Sequence, residues 1–155
     1  MNMIEKWVFI LITMGFIFLS TYIIVISVSA EPVINMEVIK QIESSGDSLA
    51  YNTRSGARGL YQIMPICLTE YNNYHRHKYN IDQLFDCNVN YIIADWYLNV
   101  RIPQMLNHYH KPLTKRNVLI SYNAGVSYVR DGKTSDKKLP SQTVEYIRKY
   151  NKGVK

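Results

Sequence analysis

A mainly α-helical domain set behind a hydrophobic leader is the fold class that this chain of 155 residues predicts. Three observations carry that reading. Apolar residues recur at helical spacing, as in Ile34, Val38 and Ile42, in Val89, Ile92, Ile93 and Trp96, and in Val118, Leu119 and Tyr122. Capping residues, namely Asp86, Thr114 and Ser141, stand in front of such runs. Strand-like alternation is scarce, and residues 31–155 suffice for one core with little room for a second.

Residues 1–30 form the leader. Trp7 to Val28 runs 22 positions without a charge, longer than the roughly 7–15 residues of an ordinary signal core and enough to span a bilayer. Val28-Ser29-Ala30 also fits a signal-peptidase site, so a cleaved signal peptide and a retained membrane anchor both stand. Either one sends residues 31–155 across a membrane and makes the cell envelope, or secretion from it, the expected location.

The first helix is expected over Val33 to Ser44, begun after Pro32 and stopped by Gly46. Asp47 to Arg58 reads as loop. Gly59 to Met64 is a short apolar turn, and a helical piece follows Pro65 toward Tyr74. Asp86 caps a longer helix through Val100, extending to His108 if Pro103 only kinks it. Thr114 caps a helix that ends at Gly125, a polar loop leads to Pro140, and Ser141 opens a last helix through Tyr150.

The formal charge of +6 is uneven: residues 31–100 carry five basic and eight acidic side chains, and residues 101–155 carry twelve and three. A basic half suits an anionic polymer or membrane surface. Export and the lack of any nucleic-acid module signature argue against nucleic acid. Cys67 and Cys87 are too few for a disulfide scaffold. In an oxidising compartment they either bridge, which is the favoured alternative and closes a loop worth roughly 3 kcal/mol, or stay as unpaired thiols. His75/His77 and His108/His110 match no standard zinc spacing, so neither metal nor cofactor is expected. A monomer is expected.

Glu43 is the residue with chemical promise. It ends an apolar helix within a turn of Ile39 and Ile42. Desolvation and the partial negative charge of helix C-terminal carbonyls both raise a carboxyl pKa toward the range a general acid needs. Most Glu at helix ends are simply solvated, and the weight comes from four short blocks in succession. Glu43-Ser44-Ser45-Gly46 precedes Gly59-Leu60-Tyr61-Gln62-Ile63, then Ser121-Tyr122-Asn123-Ala124-Gly125, then Gln142-Thr143-Val144-Glu145-Tyr146-Ile147. This succession resembles the SLT-type lytic transglycosylases, a lysozyme-like family related to goose-type lysozyme. Their pattern is Glu-Ser-x-Gly, Gly-Leu-Met-Gln-Ile, Ala-Tyr-Asn-Ala-Gly and Glu-Thr-x-x-Tyr-Val. The resemblance covers essentially all of residues 33–150.

The resemblance implies a lysozyme-like helical domain over residues 31–155 that cleaves peptidoglycan glycan strands between N-acetylmuramic acid and N-acetylglucosamine, leaving 1,6-anhydromuramyl ends. Glu43 would be the single catalytic acid, then base. Tyr61, Gln62, Tyr122, Asn123 and Tyr146 would bind substrate or orient Glu43. Asp47 reads as loop capping rather than catalysis, while Tyr51 and Tyr128 offer faces for sugar stacking by residue type alone. Three positions depart from the pattern: Tyr61 for Met, Ser121 for Ala, and Gln142 for Glu. The Glu145 carboxylate is expected on a different helical face from Gln142. A muramidase that uses water and a glycan-binding protein without turnover remain the alternatives.

Overall fold

The structure, a computed structural model, describes residues 33–153, and the leader expected at residues 1–30 lies outside them. Helix α1 covers Met36–Ser44. It starts three residues later than expected because Asn35, not Pro32, sets its N-terminus: the Asn35 Oδ1 accepts from the Val38 N–H at 3.2 Å. Val38 and Ile39 are its buried face. Ser45 ends it in the left-handed region (φ 55°), its N–H returning to the Gln41 carbonyl.

An irregular segment leads to α2 (Pro65–His75), held by isolated bridges of Arg58 with Tyr51 and Ile63. Asp47 caps within this loop, accepting from the Leu49 N–H at 2.8 Å. After α2, Asn72 closes the next loop by exchanging two hydrogen bonds with the Tyr79 backbone. A 3₁₀ turn over Ile81–Phe85 comes next, fixed by a capping box between Asn80 and Gln83.

Asp86 caps α3 (Cys87–Trp96) as expected, its carboxylate accepting from the Asn88 and Val89 N–H groups. The helix is not broken at Pro103. A π turn over Tyr97–Arg101 joins it to α4 (Ile102–His108), with the Ile102 N–H bonded to the Tyr97 carbonyl. The wider turn takes in a proline that has no N–H to give and whose ring crowds the preceding turn.

Helix α5 (Lys115–Ala124), capped by Thr114, is the centre of the core. Five successive residues, Asn117 to Ser121, are buried, so partners surround it on nearly every face. Beyond Gly125 come a short α6 (Val126–Arg130) and a 3₁₀ turn (Asp136–Lys138), both within the segment expected to be loop. Helix α7 (Ser141–Gly153) packs against α1 and α5. It is joined to the start of α1 where the Asn35 N–H donates to the Tyr150 hydroxyl at 2.7 Å.

The expected Cys67–Cys87 bridge is absent, and both cysteines are free thiols. Cys67 is buried in α2, where burial pushes its thiol up to about 11, whereas Cys87 opens α3 and is exposed. The paired histidines are also apart in role. His75 and His77 pack in an aromatic cluster with Tyr71, and His108 stacks edge-on to Tyr109. Among the described residues, no group of three or more His, Cys, Asp or Glu is placed to hold a metal ion.

Candidate active site

Four segments meet around Glu43. The first is the end of α1, tied down by the residue after it: the Ser44 hydroxyl donates to the Leu60 carbonyl at 2.8 Å. The second is the Gly56–Ile63 turn, which hangs on a buried side chain of α3. Asn90 Oδ1 accepts from the Tyr61 N–H at 2.8 Å, and its Nδ2 donates to the Arg58 carbonyl at 2.9 Å and the Leu84 carbonyl at 2.7 Å. Asn90 therefore satisfies three backbone groups with one fully buried amide. Gly59 passes so close that a Cβ there would stand 2.2 Å from the Leu84 carbonyl oxygen, and its φ of 75° also calls for glycine.

The third segment is the end of α5. The Tyr122 hydroxyl donates to the Tyr61 carbonyl at 2.7 Å, and Asn123 Oδ1 accepts from the Thr143 hydroxyl at 2.8 Å. The fourth is α7, which carries Gln142, Glu145, Tyr146 and Lys149 at i, i+3, i+4 and i+7.

A cleft of about 420 Å³ opens between these segments. Glu43, Gln62, Asn123 and Tyr146 line it, so four of the six residues singled out from the sequence are brought together. Tyr122 stands behind that wall. Its ring packs edge-on to Tyr97 and its hydroxyl is spent on the Tyr61 carbonyl, so it braces the site from within.

Tyr61 takes part in this region through its backbone, which binds Asn90 and Tyr122. Its side chain is only 3% exposed and packs edge-on against Tyr91, so it belongs to the core and offers no cleft wall or sugar-stacking surface. The reason is local: Gln62 adopts a left-handed φ of 49°, and this reversal leaves Tyr61 inward while Gln62 lines the cleft. Gln62 Nε2 is bound to the Ala50 and Gly59 carbonyls, which leaves its amide oxygen as the group not committed to that loop.

Glu145 corrects the sequence reading. It lines the same cleft as Gln142, because residues three apart on a helix share a face. A side-chain pair with Arg148 holds its carboxyl below the usual range. Tyr51 and Tyr128 do not line the cleft: the Arg58 guanidinium lies 5.0 Å from the Tyr51 ring centre, and Lys133 Nζ lies 5.8 Å from that of Tyr128. Asn52, Ser55 and Met64 do line it. They sit in a stretch that reads as polar loop and apolar turn, with no periodicity to mark an inner face.

Burial raises the Glu43 carboxyl from 4.5 to about 7, and the Tyr146 hydroxyl acts in the opposite direction. That hydroxyl is itself buried beside the carboxyl without completing a hydrogen bond among the described residues. Burial and then the Glu43 charge hold both Tyr122 and Tyr146 far above the ordinary phenol range, so both remain protonated. The site thus offers one proton-holding carboxyl near neutrality, neutral donors and acceptors around it, and an ionised carboxylate on the same cleft.

The family model of the transglycosylase SLT domain matches residues 30–144. The chain belongs to the transglycosylase SLT domain family. The helical architecture of this SLT domain is lysozyme-like, and the family's activity is lytic transglycosylation of peptidoglycan in the cell envelope. The matched segment takes in Glu43, Gln62 and Asn123 and ends within α7, so Glu145, Tyr146 and Lys149 of the same cleft lie beyond it. No curated protein matches the chain.

Proposed function

We propose that this SLT domain cleaves the MurNAc–GlcNAc bond of peptidoglycan without water, with Glu43 as general acid and then general base. The observation that carries the reading is the Glu43 carboxyl, raised by burial to about 7 and lining a cleft with Gln62, Asn123 and Tyr146. In the first step Glu43 gives its proton to the glycosidic oxygen as the bond from that oxygen to muramyl C1 breaks. In the second, the muramyl 6-hydroxyl oxygen bonds to C1 and its proton passes to the Glu43 carboxylate. Glu43 ends protonated as it began, and the product carries a 1,6-anhydro ring. A group that changes from acid to base within one turnover works best with a pKa near the working pH. Because the nucleophile is the substrate's own hydroxyl, no second carboxylate is needed to activate water. Such a substrate requires the domain on the wall side of the membrane, where a leader at residues 1–30 would deliver it.

Glu145 gives a second reading its footing. An ionised carboxylate on the same cleft can serve as base for water, which would make the protein a muramidase. Mass spectrometry of purified peptidoglycan digested with the protein separates the two. The proposal expects 1,6-anhydro ends, each lighter by one water than a reducing end, and loss of nearly all product with Glu43→Gln. Reducing ends alone would establish the muramidase. Undiminished wall binding with no product from the wild type would leave a glycan-binding protein.

A further inference from the structure

Two cavities share no lining residue with the cleft. The first, of about 330 Å³, lies between α2 and α3 and is lined by Glu70, Asn73, Tyr74, Trp96 and Arg101. Arg101 also lines the second, of about 380 Å³, with Gln104, Met105, His108 and Tyr109. The two therefore adjoin at the Arg101 side chain. Core residues separate this groove from the cleft: the Tyr97 ring packs between those of Trp96 and Tyr122, and Tyr122 braces the active site from within.

Aromatic rings gather at the α2–α3 end. The Trp96 ring centre lies 5.4 Å from that of Tyr71, 5.3 Å from Tyr74 and 5.7 Å from His75. Tyr74 is 55% exposed. Trp96 is only 6% exposed, and its indole N–H is buried with no acceptor among the described residues. A buried donor without a partner is rare and costly, and this one belongs to a residue lining a cavity. Beside the rings, Glu70 and Arg101 form a forked pair, Nε to Oε2 at 2.9 Å and Nη2 to Oε1 at 3.4 Å. Both side chains remain 33% exposed, and the fork spends only two of five guanidinium N–H groups, so bonding capacity is left over. Its charges cancel. The first cavity thus combines flat apolar rings, directional donors and acceptors, and no net formal charge.

Those properties select a class of ligand. An ion finds no unmatched charge in the first cavity, and a purely apolar molecule would leave the fork and the indole N–H without partners. A pyranose suits all of them: its C–H face lies on an aromatic ring, while its hydroxyls bond amide, carboxylate and guanidinium groups. We propose that the groove along α2, α3 and α4 is a second, non-catalytic site for an uncharged pyranose chain. Tyr74 serves as its stacking platform, Asn73 and the Glu70–Arg101 fork hold hydroxyls, and the chain continues past Arg101 toward Tyr109. No bond is made or broken there, and the site does not depend on the chemistry of the cleft. Its effect is a second grip on a polysaccharide matrix, which raises retention without any new contact at Glu43.

Trp96 can report on its own site. Trp7 is the only other tryptophan in the chain, so Trp7→Phe leaves Trp96 as the sole indole. The full-length protein carrying Trp7→Phe and Glu43→Gln, the second to prevent any cleavage, is held in a detergent without a sugar headgroup. It is titrated with chitotetraose and with maltotetraose while tryptophan emission is followed. A saturable change with at least one of them is expected. Chitotetraose alone would name amino-sugar strands as the ligand, and maltotetraose alone a neutral glucan. Tyr74→Ala, at an exposed position, is expected to raise the Kd about fivefold or more, and Asn73→Ala to raise it in the same direction. No emission change with either sugar up to millimolar concentration, or a Kd that both variants leave unaltered, overturns the inference. Neither result bears on the proposed lytic activity, and absence of that activity would leave the titration just as decisive.

Discussion

Tyr146 is buried beside Glu43 with its hydroxyl unmatched, an arrangement that costs stability in a resting protein and gains value when the carboxyl ionises. A hydroxyl facing a neutral acid gains little, whereas one facing a carboxylate forms a charge-assisted bond. Tyr146 thus favours the ionised form of Glu43. On the proposed mechanism Glu43 holds a proton to start the reaction, so kcat/KM is expected to fall as pH rises through about 7. Tyr146→Phe removes the influence that lowers the Glu43 pKa, so this alkaline limb should move to higher pH. A pH–rate profile on soluble glycan strands checks it, and a limb that stays in place would mean that another group titrates. The promise of Glu43 was legible from the sequence because a helix end beside Ile39 and Ile42 is a local feature. Tyr61 was not, because in a turn one residue's backbone angle decides which neighbour faces inward, and composition does not carry that angle. Asn90 left no signal either: a polar residue on a helix reads as solvent-facing until its three backbone partners from distant turns are known.

Among elements, the Gly56–Ile63 turn depends most on one residue. Gly59→Ala would set a methyl against the Leu84 carbonyl and the Asn90 amide while forcing a left-handed backbone. It should cost more than about 3 kcal/mol. Gly132→Ala has a similar φ, 69°, with nothing within 4 Å of the new methyl, and should cost only about 1 kcal/mol. Urea unfolding midpoints of the two variants provide the comparison, and equal losses would show that the Gly59 contacts are soft. Helices with a cap and several turns of apolar spacing could be read in advance, as Asp86 and Thr114 show. Helix α6 and the two 3₁₀ turns could not, since five residues or fewer are too short to display a helical period. Pro103 marked a kink or a break on local grounds, and the π turn that absorbs it depends on widening the preceding turn.

At the scale of the whole molecule, the site works against the fold. The folded state keeps the Glu43 proton up to about pH 7, whereas an unfolded chain loses it near 4.5. The stability contributed by this group is therefore whole below pH 4.5 and declines as pH rises through about 7. The decline amounts to at most about 3 kcal/mol, less what solvent screens at a half-buried group. Glu43→Gln, expected to be inactive, should accordingly be the more stable protein at pH 8 and nearly matched to the wild type at pH 4. Denaturant midpoints at the two pH values measure this, and a constant difference would contradict the linkage. Long-range pairing was the least legible level. Cys67 and Cys87 had a permissive spacing, yet their separate surroundings come from how α2 and α3 pack.

The hydrogen bond from the Asn35 N–H to the Tyr150 hydroxyl spans 115 positions of sequence. Helix α1, which carries Glu43, is thereby completed by a helix made about a hundred residues later. In a chain made from its N-terminus, the acid group exists well before α7 arrives to wall the cleft with Tyr146 and Lys149. A chain that ends before residue 141 would thus carry Glu43 on α1 without the wall that completes the cleft around it.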